Sequence, residues 1–241
     1  YSPRGMIYIL RKYFEKMTEH IFEYQGTLKE YVGDELMAIF GAPLEQGDHA
    51  QRACGAALAM REHLPELPRE WGERGPFTLR ARTGINSGPM LVGNLGSKYR
   101  FAYGVLGDQV NLGSRMEGLN KVYNTDILLG ENTAHLVQSC YRLREVDWVR
   151  VAGSRKGISI FELVSECGAL LPDGKEKALS WYAQGLAAYR EQDWREAFGY
   201  FSQAWKCWSE DGPSQVMAAR CRIYAEAPPQ DWDCVFEQTS K

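Results

Sequence analysis

Gly26-Thr27-Leu28-Lys29-Glu30-Tyr31-Val32-Gly33-Asp34-Glu35-Leu36-Met37-Ala38-Ile39-Phe40-Gly41-Ala42-Pro43 is the stretch that decides how this chain reads. Two strand-like runs, Thr27 to Val32 and Leu36 to Phe40, flank Gly33-Asp34. Glycine reaches positive φ without steric cost, so the pair suits the tight turn of a hairpin. Gly41-Ala42-Pro43 closes the second strand. Upstream, Met6 to Tyr24 sets Ile7, Leu10, Phe14, Met17 and Ile21 at helical spacing among charged residues, an amphipathic helix that Gly26 ends. Downstream, Asp48 is expected to cap a helix running to about Leu64, with alanines along one face.

Further out, a polar loop from Pro68 to Pro76 leads into Phe77 to Ile85, which alternates as a strand. Asn86-Ser87-Gly88-Pro89 is expected to turn it and Met90-Leu91-Val92 to run back. Phe101 to Leu106 reads as another strand, and Asp108 as the cap of a helix through Leu119. Asp126 to Leu129 is a strand and Glu131 to Val137 a short helix. Tyr141 to Val151 and Ile158 to Leu163 form a final hairpin around Gly153-Ser154-Arg155-Lys156-Gly157. Hairpins with interleaved helices, without the long βαβ cadence of a doubly wound sheet, imply an α+β sandwich of the ferredoxin-like sort. After Cys167 the pattern becomes helical and aromatic, with Trp181, Tyr182, Tyr189, Trp194, Phe198, Phe201, Trp205 and Trp208. Gly185, Ala197, Phe201 and Ala204 fall at the spacing of a tetratricopeptide helical pair, and a third helix is expected from Pro213 to Ala225. One repeat cannot bury its own face. It must pack on the α+β core, on another chain or on its own third helix. Residues 1–165 are therefore expected as the α+β domain and 166–241 as a small all-α tail.

The chain has 241 residues, 44% hydrophobic and 24% charged, which places it among ordinary globular proteins with one sizeable core and an appendage. No apolar run approaches the ~20 residues of a membrane-spanning helix, so no membrane contact is expected of it. Net charge is −3, from 28 basic and 31 acidic residues, and the basic ones are scattered. A nucleic-acid groove needs a positive field, so no nucleic-acid partner is expected. Cys54, Cys140, Cys167, Cys207, Cys221 and Cys234 never approach CxxC spacing. They are expected as small buried hydrophobes, reduced in a cytoplasmic setting. His20, His49, His63 and His135 show no metal-ligand or triad spacing. Tyr1 to Gly5 carry no signal-peptide pattern, and a chain opening on a loop and a helix is expected to continue an upstream segment.

Three segments together resemble the class III nucleotidyl cyclases, the adenylyl and guanylyl cyclases. They are Gly26 to Pro43; Gly84-Ile85-Asn86-Ser87-Gly88 with Val92-Gly93-Asn94-Leu95-Gly96; and Gly107-Asp108-Gln109-Val110-Asn111-Leu112-Gly113-Ser114-Arg115-Met116-Glu117. The resemblance spans Pro3 to about Leu163 and leaves the helical tail outside it. It implies a βαββαβ-type catalytic domain whose N-terminal strand is absent from this sequence. The implied reaction is attack of a ribose 3′ oxygen on the α-phosphorus of a nucleoside triphosphate, with pyrophosphate leaving. Such a transfer rests on metals, positioning and charge stabilisation. By resemblance Asp34 holds metal, in a site for two divalent cations, Mg²⁺ or Mn²⁺; a hairpin-tip carboxylate suits such hard ions. Asn111 and Arg115 lie four apart on one helical face. By resemblance Asn111 orients the ribose and Arg115 meets charge building on the α-phosphate, where a rigid, permanently charged fork is suited.

The family's site forms between two catalytic domains, and this chain carries both halves, which implies a homodimer with two sites. Two departures stand out. The family's second metal-binding Asp is expected upstream of Tyr1, and Ser154 occupies the place of a triphosphate-binding Lys, leaving Arg155 or Lys156 to take that role. An upstream sensor or regulatory module is a further implication, in a cytoplasmic or membrane-anchored parent.

The base-reading positions lie three residues before each Gly-Asp glycine, here Glu30 and Gly104. Adenylyl cyclases typically pair Lys with Asp or Thr there, and guanylyl cyclases Glu with Cys or another small residue. Guanine offers N1–H and its 2-amino group as adjacent donors that one carboxylate accepts together, whereas adenine N1 is an acceptor. Gly104 leaves room for the 6-oxo group. Both positions imply GTP as the substrate. Lys29 is the alternative reader, because neighbouring strand side chains point to opposite faces and a one-residue slip exchanges them. Other readings stay open: ATP as substrate, a degenerate cyclase domain serving regulation or dimerisation, and a tetratricopeptide adaptor.

Overall fold

The computed structural model describes residues 2–70, 79–150 and 156–237. In chain order its first elements are α1 (Pro3–Glu23), β1 (Thr27–Val32), β2 (Glu35–Ile39), α2 (His49–His63), α3 (Leu67–Glu70), β3 (Thr83–Ile85), β4 (Leu91–Ser97) and β5 (Arg100–Leu106). There follow α4 (Asp108–Tyr123), β6 (Ile127–Gly130), α5 (Glu131–Val137), β7 (Tyr141–Arg150) and β8 (Ile158–Glu166). The chain ends in α6 (Lys175–Arg190), α7 (Trp194–Cys207), α8 (Gly212–Glu226) and β9 (Phe236–Glu237). These α and β elements fall into two units, Tyr1–Ala81 with Ser87–Asn111, and Arg82–Asn86 with Leu112–Lys241.

In the first unit α1 begins on Ser2, whose hydroxyl accepts the Gly5 amide at 3.2 Å, with Pro3 where no amide donor is needed. Ile9, Met17 and Ile21 are buried, while Ile7, expected on the apolar stripe, is exposed. Met17 joins Leu64 and Leu67 in a core flanked by Tyr13, Leu36, Met60, Leu79 and Ala81. Asp48 precedes α2, yet its carboxylate caps no amide. Instead Arg52 Nε donates to Asp48 Oδ1 at 2.6 Å, so a side-chain pair replaces the expected cap. β1 and β2 form the expected hairpin, with Val32 opposite Glu35 and Gly33 at φ +65°.

The expected return of Phe77–Ile85 into Met90–Val92 does not occur. Residues 71–78 lie outside the described residues, and Thr83–Ile85 pairs in parallel with β6. β4 pairs with β5 instead, from Leu91 opposite Leu106 to Ser97 opposite Arg100. β4 and β5 are joined by the two-residue turn Lys98-Tyr99, so their seven-residue ladder closes between sequence neighbours.

The second unit is built on a five-stranded sheet in the order β3-β6-β8-β7-β9. β6, Ile127-Leu128-Leu129-Gly130, is buried throughout, as the continuous apolar run of a central strand requires. Its core joins Leu128, Val146 and Ile160 of the sheet to Met116 and Tyr123 of α4, and onward to Tyr182 and Tyr189 of α6, Phe201 of α7 and Met217 of α8. The helical tail thus packs on its own third helix and on the α+β core at once. α6 and α7 approach closely at Gly185, where a Cβ would lie 2.8 Å from the Phe201 ring.

Charges also cross this core. Arg144 is paired with Glu162 and donates to Asp211 at 2.6 and 2.9 Å; Arg220 meets Asp147 at 2.5 Å, and Tyr123 donates to the same carboxylate at 2.6 Å. Burial first, and then the Asp147 charge, push the Tyr123 hydroxyl well above its usual range. Burial works to lower Arg144, but Glu162 and Asp211 more than offset it and hold the guanidinium charged. The cysteines depart from expectation. Only Cys54 and Cys221 are buried, Cys207 and Cys234 are half-buried, and Cys140 and Cys167, just before β7 and just after β8, are exposed.

Candidate active site

Asp34 stands exposed at the tip of the β1–β2 hairpin, carried there by the left-handed Gly33. Its charge reaches the Tyr13 hydroxyl, which burial first and Asp34 second raise above the usual tyrosine range. Among the described residues no three His, Cys, Asp or Glu side chains gather as a metal site. Asp34 on its own offers hard oxygen donors that fit a divalent cation whose remaining ligands are nucleotide oxygens and water.

Four residues back from Gly33 the hairpin departs from regular alternation. Leu28 pairs with Ala38 and Glu30 with Met37, so Lys29 has no partner and forms a bulge. In a regular strand Lys29 and Glu30 would face opposite ways. Here Lys29 Nζ and Glu30 Oε1 are 3.0 Å apart, with Lys29 only 15% exposed and Glu30 48% exposed. The bulge therefore puts on one side two side chains that the alternation argument had set against each other.

Gly104 is buried on β5, directly opposite Gly93 on β4, so neither member of that cross-strand pair has a side chain. A Cβ at Gly104 would lie 2.9 Å from Leu95 Cδ1 and 3.5 Å from Lys29 Cε. The absent side chain lets Leu95 and the Lys29 stem pack directly against the Gly104 backbone. Of the two base-reading candidates, Gly104 thus has Lys29 beside it, and Glu30 joins through its ion pair with Lys29. Lys29's placement was carried in the sequence only as the alternative reader. Nothing at Leu28-Lys29, neither Gly nor Pro, signals a bulge.

α4 carries the remaining pair. Gly107 precedes it at φ +147°, a conformation that favours glycine, and Val110 N–H returns to Gly107 O at 3.1 Å. Asn111 is exposed and Arg115 half-buried, one turn apart on this helix. The Gly84-Ile85-Asn86 segment has a supporting role. A Cβ at Gly84 would collide with the α4 backbone at Gly113 and Glu117, so glycine lets the helix lie against β3. Asn120 locks the contact, donating to Thr83 O at 2.9 Å and accepting from Thr125 Oγ1 at 2.8 Å. Lys156 is exposed at the bend before β8; Ser154 and Arg155 lie outside the described residues. No helix among the described residues is long and apolar enough to cross a membrane.

Residues 1–165 match the family described as the adenylate and guanylate cyclase catalytic domain. The chain belongs to this family. Its relatives include adenylate cyclase 1 of Rhizobium meliloti, 32% identical over 163 residues, which cover 68% of this chain and 24% of that protein. The chain thus spans about a quarter of the length of that curated relative. Among solved structures it is similar to the adenylyl cyclase CyaB of P. aeruginosa, with a TM-score of 0.64 and 29% identity over 71% of this chain and 88% of that one. The guanylyl cyclase Cya2 superposes with a TM-score of 0.62 and 31% identity, covering 70% and 84% respectively. The match to the cyclase domain ends at residue 165, yet the buried core of this cyclase chain continues through α6, α7 and α8.

Proposed function

We propose that this cyclase domain converts GTP to cyclic GMP and pyrophosphate, at sites shared across a homodimer, with residues 166–241 as a helical tail. The observation that carries the choice of purine is Gly104, without a side chain, with the Lys29 stem packed beside it and Lys29 paired to Glu30. Glu30 offers the two acceptor oxygens that guanine N1–H and the 2-amino group require, and Gly104 sets no side-chain acceptor against the 6-oxo group. An Asp or Thr in place of Gly104 would supply the acceptor that adenine's 6-amino group needs; Gly104 supplies none.

The roles of the other residues follow from the reaction's charge flow. Asn111 holds the ribose so that its 3′ oxygen is in line with the α-phosphorus, and Arg115 stabilises the negative charge that builds on the α-phosphate oxygens. Arg155 or Lys156 binds the departing pyrophosphate end. Asp34 is the carboxylate that would hold the divalent cations, which when bound neutralise phosphate charge and favour ionisation of the 3′ hydroxyl. Each chain carries both Asp34 and the Asn111/Arg115 pair, so a two-fold dimer completes each site from two chains.

The test is turnover of GTP and ATP by the full-length protein with Mg²⁺ or Mn²⁺. A site built to hydrogen-bond one pattern of donors rejects the other by ~10⁴, so cyclic GMP is expected to predominate. Cyclic AMP formed as fast as cyclic GMP would overturn the reading. Glu30→Lys with Gly104→Asp is expected to move preference towards ATP. The second reading, ATP as the substrate, is favoured by the name of the Rhizobium relative, an adenylate cyclase; the same assay separates the two.

A further inference from the structure

We infer that Lys29 is a second specificity-determining residue of this site, its ammonium donating to the 6-oxo oxygen of guanine beside Gly104 while Glu30 accepts from N1–H and the 2-amino group. The inference rests on the GTP reading above and adds to it a residue that base-reading by Glu30 and Gly104 alone leaves idle.

Three observations converge on Lys29. The bulge leaves it without a cross-strand partner and turns it to the same side as Glu30. Its Cε stands 3.5 Å from the position a side chain at Gly104 would start, and Nζ is one bond further on. Its side chain is only 15% exposed and already bonded to Glu30, so much of its desolvation and ordering is complete before a nucleotide arrives.

The order of donors and acceptors then matters. Along guanine's edge, positions 6, 1 and 2 read acceptor, donor, donor, and the complement is one donor followed by two acceptors. An ammonium next to a carboxylate presents that complement. Because the ammonium lies on the Gly104 side, it meets position 6. Adenine carries a 6-amino donor there, so the same ammonium would face N–H with only Glu30 to accept from it, and gain no bond to the base. Gly104 serves this geometry as well. With no side chain of its own, it lets the Lys29 stem pack against the β5 backbone, where a Cβ would already stand 3.5 Å from Lys29 Cε.

The experiment compares GTP, 6-thio-GTP and ATP as substrates of the full chain and of its Lys29→Met and Lys29→Arg variants. Sulfur at position 6 is a poor hydrogen-bond acceptor and leaves positions 1 and 2 unchanged. The full chain is expected to turn over GTP at least about tenfold better than 6-thio-GTP in kcat/KM, the size of a lost charge-assisted hydrogen bond. Lys29→Met is expected to lose about tenfold or more on GTP but little on 6-thio-GTP, bringing the ratio near one, while Lys29→Arg keeps most of the discrimination. Equal losses on both substrates, or no loss on either, would overturn the inference. Should Lys29→Met not fold, equal turnover of GTP and 6-thio-GTP by the unsubstituted chain overturns it without any variant. A chain that prefers ATP defeats the GTP reading itself, whereas a GTP-preferring chain indifferent to sulfur and to Lys29 defeats this inference alone.

Discussion

Arg220→Met removes a charge that ties the helical tail to the sheet, and its cost can be worked from the structure. Arg220 is 7% exposed and meets Asp147, which is fully buried, at 2.5 Å. Without the guanidinium, the donors left to Asp147 among the described residues are neutral: the Tyr123 hydroxyl at 2.6 Å and the Trp148 amide at 2.8 Å. Methionine replaces most of the lost volume, so the cavity term is small and the uncompensated charge dominates. Removing one partner of a buried ion pair costs about 3–5 kcal/mol. With a urea dependence of ~2–3 kcal/mol per molar, the midpoint of the second unit's unfolding should fall by about 1–2 M. Tryptophan fluorescence reports it, since Trp181, Trp194, Trp208 and Trp232 all line or border that core. Asp147→Asn combined with Arg220→Met removes both charges. It should recover most of the loss, because replacing both members of such a pair is near neutral. A midpoint shift below roughly 0.3 M for Arg220→Met, or a double variant as unstable as the sum of the singles, would refute the view that the tail is welded to the sheet through this pair. The consequence reaches the site, because Tyr123 ends the helix that carries Asn111 and Arg115.

Gly84→Ala should lower the melting temperature, and turnover with it. Its methyl group meets helix backbone at Gly113 and Glu117 rather than a yielding side chain, and overpacking of this kind costs about 1–3 kcal/mol; an unchanged melting curve would contradict the close approach of α4 to β3. In native protein at pH 8 a thiol reagent should modify Cys140 and Cys167 rapidly, and Cys54 and Cys221 only on unfolding, because burial pushes those two thiols up to about 12. The same shift makes stability pH-dependent. Folded Cys54 holds its proton above the unfolded value of 9.0, so its contribution is complete below pH 9 and is lost as pH rises towards about 12. Cys54→Ala should flatten that alkaline decline in a series of urea titrations, and an unaltered slope would assign the decline to other groups.

Much of this architecture is legible because it is local. Gly33-Asp34 between two apolar runs specifies the hairpin, and the 3.6-residue spacing of Met17 and Ile21 specifies α1, with information confined to neighbouring residues. Asp48 misleads for a related reason: a helix-start carboxylate has two local options, and the Arg52 side chain one turn on outcompetes the amide. What depends on distant residues is not legible. Arg144 and Asp211 lie 67 residues apart, so no window of sequence shows that they neutralise each other inside one core. That pair is one of the long-range contacts that hold the tail on the sheet, and the tail's own pattern left three packing partners open. At the candidate site, the motifs bring Asn111, Arg115 and Asp34 into view through residue type and order. The bulge at Lys29 escapes because it arises from how β1 meets β2 rather than from any residue that favours it.

On the proposed reading one chain supplies both halves of a nucleotide-cyclising site and needs a second copy to assemble them. Asp34→Asn alters one half and Asn111→Ala with Arg115→Ala the other, so each variant alone should be inactive. Mixed and allowed to exchange subunits, half the dimers carry one of each, and each such dimer holds one intact site of its two. Cyclic GMP formation should therefore return to about a quarter of the unsubstituted rate. Continued inactivity of the mixture, with exchange confirmed by differential tagging, or substantial activity of either variant alone, would contradict the account.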